Sequence, residues 1–176
     1  MTRNHLQWMG WLFALSLLGQ SSPALAQASK SLKEEIAGSW RLVSIINTRV
    51  DGTKYELFGE KAKGILTFDR NGTYSFQIMR AVRPAFASES RMEGTAEENR
   101  TAVQGTISHF GTYEVDDATR AIVFRIDGSS YPNWEKTEQR RNAVLVGSRL
   151  SWTDPSVGSR SEDLQSDLIW QRYDKR

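Results

Sequence analysis

From Ile36 to Val50 the chain alternates: Trp40, Leu42, Ser44 and Ile46 fall on one face of an extended segment, and Arg41, Val43, Ile45 and Asn47 on the other. A period of two over this length predicts a long first strand, stopped at the turn pair Asp51-Gly52. Upstream, Ser31-Leu-Lys-Glu-Glu-Ile-Ala37 has an N-cap serine, acids in its first turn and Gly38 to end it, which predicts a short helix over one end of the fold. Tyr55 to Phe58 reads as a short second strand. Lys63 to Asp69 and Thr73 to Arg80 form the clearest hairpin, joined through Asp69-Arg-Asn-Gly72. In its second arm Tyr74, Phe76, Ile78 and Arg80 share a face, so an arginine closes an apolar stripe.

The pattern breaks from Ala81 to Gln104. Pro84 disrupts the ladder, and Thr95 to Gln104 reads as a short capped helix. A long irregular connection of this kind is often a lid or binding loop. Strands resume at Ile107 to Val115, Ala121 to Asp127, Glu138 to Val146, Arg149 to Thr153 and Leu164 to Arg172, with a turn-rich crossing at Gly128 to Trp134. Eight or nine strands with one short N-terminal helix and one partly helical loop predict an all-β, antiparallel barrel. Leu168, Trp170 and Arg172 share a face of the last strand. In a closed barrel the first and last strands are neighbours, which sets Arg172 to stack on the indole of Trp40.

Composition changes the picture at the N-terminus. Arg3, the apolar run Trp8 to Gly19 and Ala24-Leu-Ala26 are the three parts of a secretory signal, and predict cleavage before Gln27. The apolar run is well short of the roughly 20 residues that span a bilayer. The reading is therefore a periplasmic or secreted single domain over residues 27–176, without stable membrane insertion once the signal is removed. The chain has no cysteine, so disulfides, thiolate metal sites and cysteine nucleophiles are excluded together. A formal net charge of +2 without a basic cluster gives no footprint for nucleic acid.

Gly38-Ser-Trp-Arg-Leu-Val-Ser44, Gly64-Ile-Leu-Thr-Phe68, Phe86-Ala-Ser88, Phe110-Gly-Thr-Tyr113, Pro132-Asn-Trp134, Gln139-Arg140 and Leu168-Ile-Trp-Gln-Arg172 together resemble the bacterial lipocalin-like domain family over almost all of residues 27–176. Gly38, Trp40 and Arg172 are similar to the lipocalin Gly-x-Trp signature with its partner arginine, which places Gly38, Trp40, Trp170 and Arg172 at barrel closure. The resemblance implies a lipocalin-type barrel and names no ligand. Family members often carry a histidine in the strand matching Ile122 to Asp127, where Phe124 and Arg125 stand here, so that histidine's role does not transfer.

Candidate chemistry is sparse. His109 is the one histidine after the signal, which argues against a metal site, and no Gly-x-Ser-x-Gly elbow supports a hydrolase, so His109 reads as structural or surface. No cofactor is implied. The carboxylate pairs Glu97-Glu98, Asp116-Asp117 and Glu162-Asp163 read as solvated turn and helix-surface groups. The leading expectation is a non-enzymatic barrel holding a small hydrophobic or amphipathic molecule. Arg80 and Arg140 would meet its carboxylate or phosphate; Phe76, Phe86, Tyr113, Phe124, Trp134 and Trp152 would line its path. Two alternatives stand beside it. One is an isomerase or cyclase acting through one acid such as Tyr113 or Glu138 in the same pocket. The other is an inhibitor or envelope interaction module contacting a partner protein through Tyr131 to Trp134.

Overall fold

A computed structural model describes residues 30–155 and 163–173. Helix α1 (Leu32–Ile36) is followed by β1 (Gly38–Arg49), β2 (Lys54–Tyr55), β3 (Lys63–Phe68), β4 (Thr73–Met79), α2 (Ala96–Gln104), β5 (Thr106–Asp116) and β6 (Ala121–Ser129). A single 3-10 turn (Pro132–Trp134) then leads to β7 (Glu138–Asn142), β8 (Val144–Val146), β9 (Arg149–Pro155) and β10 (Asp163–Arg172). The expected cleavage site and Glu162 lie outside the described residues.

Every pairing is antiparallel, and the strands run in the order β7-β6-β5-β4-β3-β1-β10-β9-β8, with β2 appended to β1. The ends of this order are consecutive in sequence: β7 ladders onto β6, and β8, one residue later, onto β9. One strand broken at Ala143 thus nearly closes the sheet into a barrel, leaving only short edges for outside pairing. The connections β1–β3, β4–β5 and β6–β7 gather at one end, the mouth; the tight turns gather at the other, the base.

The base is sealed by the two chain ends. Ser31 caps α1 in a reciprocal capping box with Glu34, and Leu32 N donates to Asp117 Oδ1 at the β5–β6 turn (2.9 Å), tying the helix across the barrel. Trp40 is fully buried, its Nε1 donating to Ile36 O over 2.8 Å. Its register partner on β10 is Arg172, whose guanidinium lies 4.1 Å from the indole centroid and donates to Ala37 O and Glu35 O. These two carbonyls at the end of α1 find no further helical turn to bond. Gly38 has φ 122°, and a Cβ there would stand 3.2 Å from Arg172 Nη1, so both backbone angle and space require glycine.

One face assignment in β1 is corrected. Trp40 and Leu42 point inward, but so do Ile45 and Asn47, while Val43 is exposed and Ser44 and Ile46 are half-buried. A bulge between Leu42 and Ser44 in the β10 pairing inserts one residue and reverses the alternation. The expected second strand is also shorter than Tyr55 to Phe58: after β2 the chain turns, and Leu57 and Phe58 fold toward the mouth.

Candidate functional site

Followed from base to mouth, the inner stripes change character. On β1 Trp40, Leu42 and Ile45 give way to Asn47; on β10 Trp170 and Leu168 give way to Ser166; on β9 Leu150 and Trp152 give way to Asp154. The base half is packed solid. Phe68 meets Tyr113 and Phe124 with centroids 4.8 and 5.9 Å apart, and Trp152 stacks on Trp170 at 5.9 Å. The mouth half encloses a cavity of about 540 Å³. Ile45, Phe58, Phe76, Ile78, Ile107 and Leu168 form its apolar wall. Its polar groups are Asn47, His109, Gln139, Arg141, Asp154 and Ser166, and Arg80, Gln104, Tyr131 and Trp134 stand toward the opening.

The polar groups are wired to one another. Arg141 is buried, its Nε ion-paired with Asp154 Oδ1 across the β7/β9 seam, its Nη2 donating to Gln139 Oε1 over 2.7 Å and its Nη1 to Arg140 O over 3.0 Å. Burial pushes the Asp154 carboxyl up to about 6, against the downward pull of Arg141. His109 stacks on Phe76 (4.5 Å between centroids), and its Nδ1 is 2.9 Å from the hydroxyl of Tyr74. Burial, with Arg141 nearby, lowers the imidazole to about 3, so it is neutral at pH 7. Tyr74 is raised, first by burial and then by Asp127. Asn47 Nδ2 donates to Ser166 Oγ over 2.9 Å, joining β1 to β10. The result is a neutral histidine and a compensated ion pair in an apolar chamber, suited to hydrogen-bonding an uncharged group.

Of the residues singled out in the sequence, Phe76, Arg80 and Trp134 line this cavity. Tyr113, Phe124 and Trp152 do not: they belong to the packed half, and Tyr113 donates to Asp69 O (2.9 Å) near the base. Phe86 lies against Gly94 in a separate hollow beside α2. Arg140 points outward to Asp116 (2.6 Å), and its neighbour Arg141 takes the inward place. The strand expected from Glu138 to Val146 is two strands: β7 ends at Asn142, and Val144 and Val146 are exposed on the short edge strand β8. Glu138 is exposed and paired with Arg125, so neither Glu138 nor Tyr113 is placed to act in the chamber. Tyr131 and Trp134 pack edge to face at the rim (5.7 Å), and Trp134 meets His109 edge to face at the same spacing. His109, Arg141 and Asp154 were missed as site residues. The available signal was the inward phase of each strand, polar at the mouth end alone.

Among the described residues no group of three or more His, Cys, Asp or Glu is gathered to hold a metal ion, and no helix is long and apolar enough to cross a membrane.

The chain is 32% identical over 106 residues to a 4'-hydroxy-3'-methoxypropiophenone carrier protein of Aspergillus oryzae (strain ATCC 42149 / RIB 40), covering 56% of this chain and 95% of that protein. It is similar to the crystal structure of a lipocalin-like protein from Bacteroides uniformis ATCC 8492, with TM-score 0.41 and 16% identity over 79% of this chain and 99% of the other. A redesigned β-barrel matches with TM-score 0.39 and 14% identity over 81% and 95% of the two chains. The lipocalin-like domain model matches residues 37–173, from the end of α1 to just past β10, and the chain belongs to the lipocalin-like domain family.

Proposed function

We propose that this protein is a carrier of a small, largely apolar aromatic molecule, held in the mouth half of the barrel. The observation that carries the reading is the cavity of about 540 Å³ with one polar pole, inside the roughly 300 to 1,000 Å³ of small-molecule sites. Phe76, Trp134 and the neutral His109 supply ring faces and edges for an aromatic body. Gln139, Asn47, Ser166 and the Arg141–Asp154 pair offer hydrogen bonds to a hydroxyl or carbonyl. The relative named as a carrier of 4'-hydroxy-3'-methoxypropiophenone, an aromatic ketone with a phenol, supports a ligand of this kind.

Titration with that ketone should quench tryptophan fluorescence saturably, because Trp134 lines the cavity. Native mass spectrometry should show one ligand per chain. A flat titration with this ketone and with related aromatic acids, together with no bound small molecule in the native spectrum, would overturn the carrier reading.

We infer as well that residues 1–26 direct export and are removed before Gln27. Protein recovered from the periplasm or medium should then have the mass of residues 27–176. Retention of the full-length mass in the cytoplasm would refute export.

A further inference from the structure

Beside the barrel a second hollow of about 490 Å³ lies between the start of β3, residues 80–86 and α2, and Arg80 lines both this hollow and the inner cavity. Lys63 and Arg83 share the hollow with it. The Cδ atoms of Arg80 and Arg83 each stand 3.5 Å from the point a Cβ on Gly105 would occupy, so the two stems converge on bare backbone. Their hydrogen bonds go to neutral oxygens: Arg80 Nη2 donates to Leu57 O over 3.4 Å, and Arg83 Nη1 to Thr106 Oγ1 over 3.3 Å. None of the ion pairs found among the described residues includes Lys63, Arg80 or Arg83.

Two carboxylates also line the hollow, and both are committed elsewhere. Glu97 is paired with Arg100 and accepts from Thr101 Oγ1; Glu98 accepts the backbone N–H groups of Ala87 and Thr95, completing the cap of α2. Inside the cavity, by contrast, Arg141 already has Asp154. Glu98 keeps its negative charge in the hollow, since its partners are neutral donors, so three cations face one carboxylate that no cation pairs among the described residues. The surplus of positive charge along the ligand's path sits at the mouth, where it favours a bound anion.

We propose that Arg80, Arg83 and Lys63 form an anion-binding site at the barrel mouth, and that the carried molecule is an aromatic carboxylate whose ring enters the cavity while its carboxylate stays on these cations. This rests on the carrier reading above and specifies its ligand class. The cavity's polar groups, Asn47, Ser166 and the Arg141–Asp154 pair, then take an uncharged hydroxyl, and the carboxylate is read at Arg80, Arg83 and Lys63.

The test compares 4'-hydroxy-3'-methoxypropiophenone with 3-(4-hydroxy-3-methoxyphenyl)propanoate, which keeps the substituted ring and three-carbon chain but exchanges the ketone for a terminal carboxylate. Binding to the intact protein at pH 7.5 is followed by calorimetry at about 0.05 and 0.5 M salt. The acid should bind about tenfold tighter than the ketone at low salt, and high salt should erode that advantage severalfold. In Lys63→Gln/Arg83→Gln, where neither residue touches the inner cavity, ketone affinity should stay within about twofold while the acid loses much of its advantage; adding Arg80→Gln should abolish it. Equal affinities in the wild type, or an advantage that survives all three substitutions, would overturn the mouth site and leave the carrier reading intact. If neither compound binds, the mouth site falls, and with no bound small molecule in the native spectrum the carrier reading falls with it.

Discussion

The two halves of this barrel are built from the same strands and differ in what those strands carry inward. The base half buries Trp40, Phe68, Tyr113, Phe124 and Trp170 against one another and ties its two chain ends together through Arg172. The mouth half replaces large side chains with Asn47, His109, Asp154 and Ser166 and leaves space between them. Solid packing stabilises and forbids entry, whereas polar lining and an open volume weaken the core and admit a guest. Stability and the proposed binding therefore fall at opposite ends of one sheet.

Trp40→Ala attacks the base most directly. Loss of a fully buried indole should cost about 3 to 5 kcal/mol in denaturant unfolding. Ligand affinity of the molecules that remain folded should be unchanged; a variant that melts like the wild type but loses ligand would erase the division between the halves.

The next effect belongs to the mouth and depends on pH. His109 titrates near 6.5 when unfolded and near 3 when folded, so acid favours the unfolded chain as pH falls through that interval. Asp154, raised to about 6 from 3.8, works in the opposite sense: its contribution is fully present below the unfolded value and fades as pH rises through the folded one. Between pH 6 and 4 the two slopes oppose each other. His109→Gln removes one of them, so relative to the wild type it should gain on the order of 3 kcal/mol from pH 6.5 to pH 4. Parallel stability curves for the two proteins would show that the histidine is not buried as described.

Filling the chamber should separate the halves in the reverse direction from Trp40→Ala. Ile107 lines the cavity and is only partly buried, so Ile107→Trp can project into open volume. Binding of the aromatic ketone should weaken at least tenfold, about 1.4 kcal/mol, with unfolding free energy altered by less than that. Undiminished affinity would move the ligand out of this cavity. The smallest effect is Arg140→Ala: the pair with Asp116 is solvent-exposed, and its loss should change stability by less than about 1 kcal/mol and leave binding alone.

Particular residues show how far such a fold can be read from one chain. Most of the strands, both helix caps and the meeting of Trp40 with Arg172 follow from local alternation, capping pairs and the closure of a barrel on its own ends. The cavity lining is different, because it turns on phase. A bulge at Val43 reverses β1, and it registers only against β10, whose Ser166 lies far along the chain from Asn47. The choice between Arg140 and Arg141 depends on the break at Ala143, where the strand changes partners and the alternation no longer carries through. His109 looked peripheral because polar residues at one end of inward stripes become a chamber only after the sheet curls.

The clasp at the base also bears on how the chain reaches this form. Arg172 bonds Ala37 across 135 positions of sequence, and β1 has its longest pairing with β10 instead of with a strand made soon after it. Contacts of such separation must overcome loop-closure entropy before they contribute anything, so ring closure is a late and slow event. The ring cannot be completed without the last strand: β10 supplies the partner for most of β1 and the link from β1 to β9.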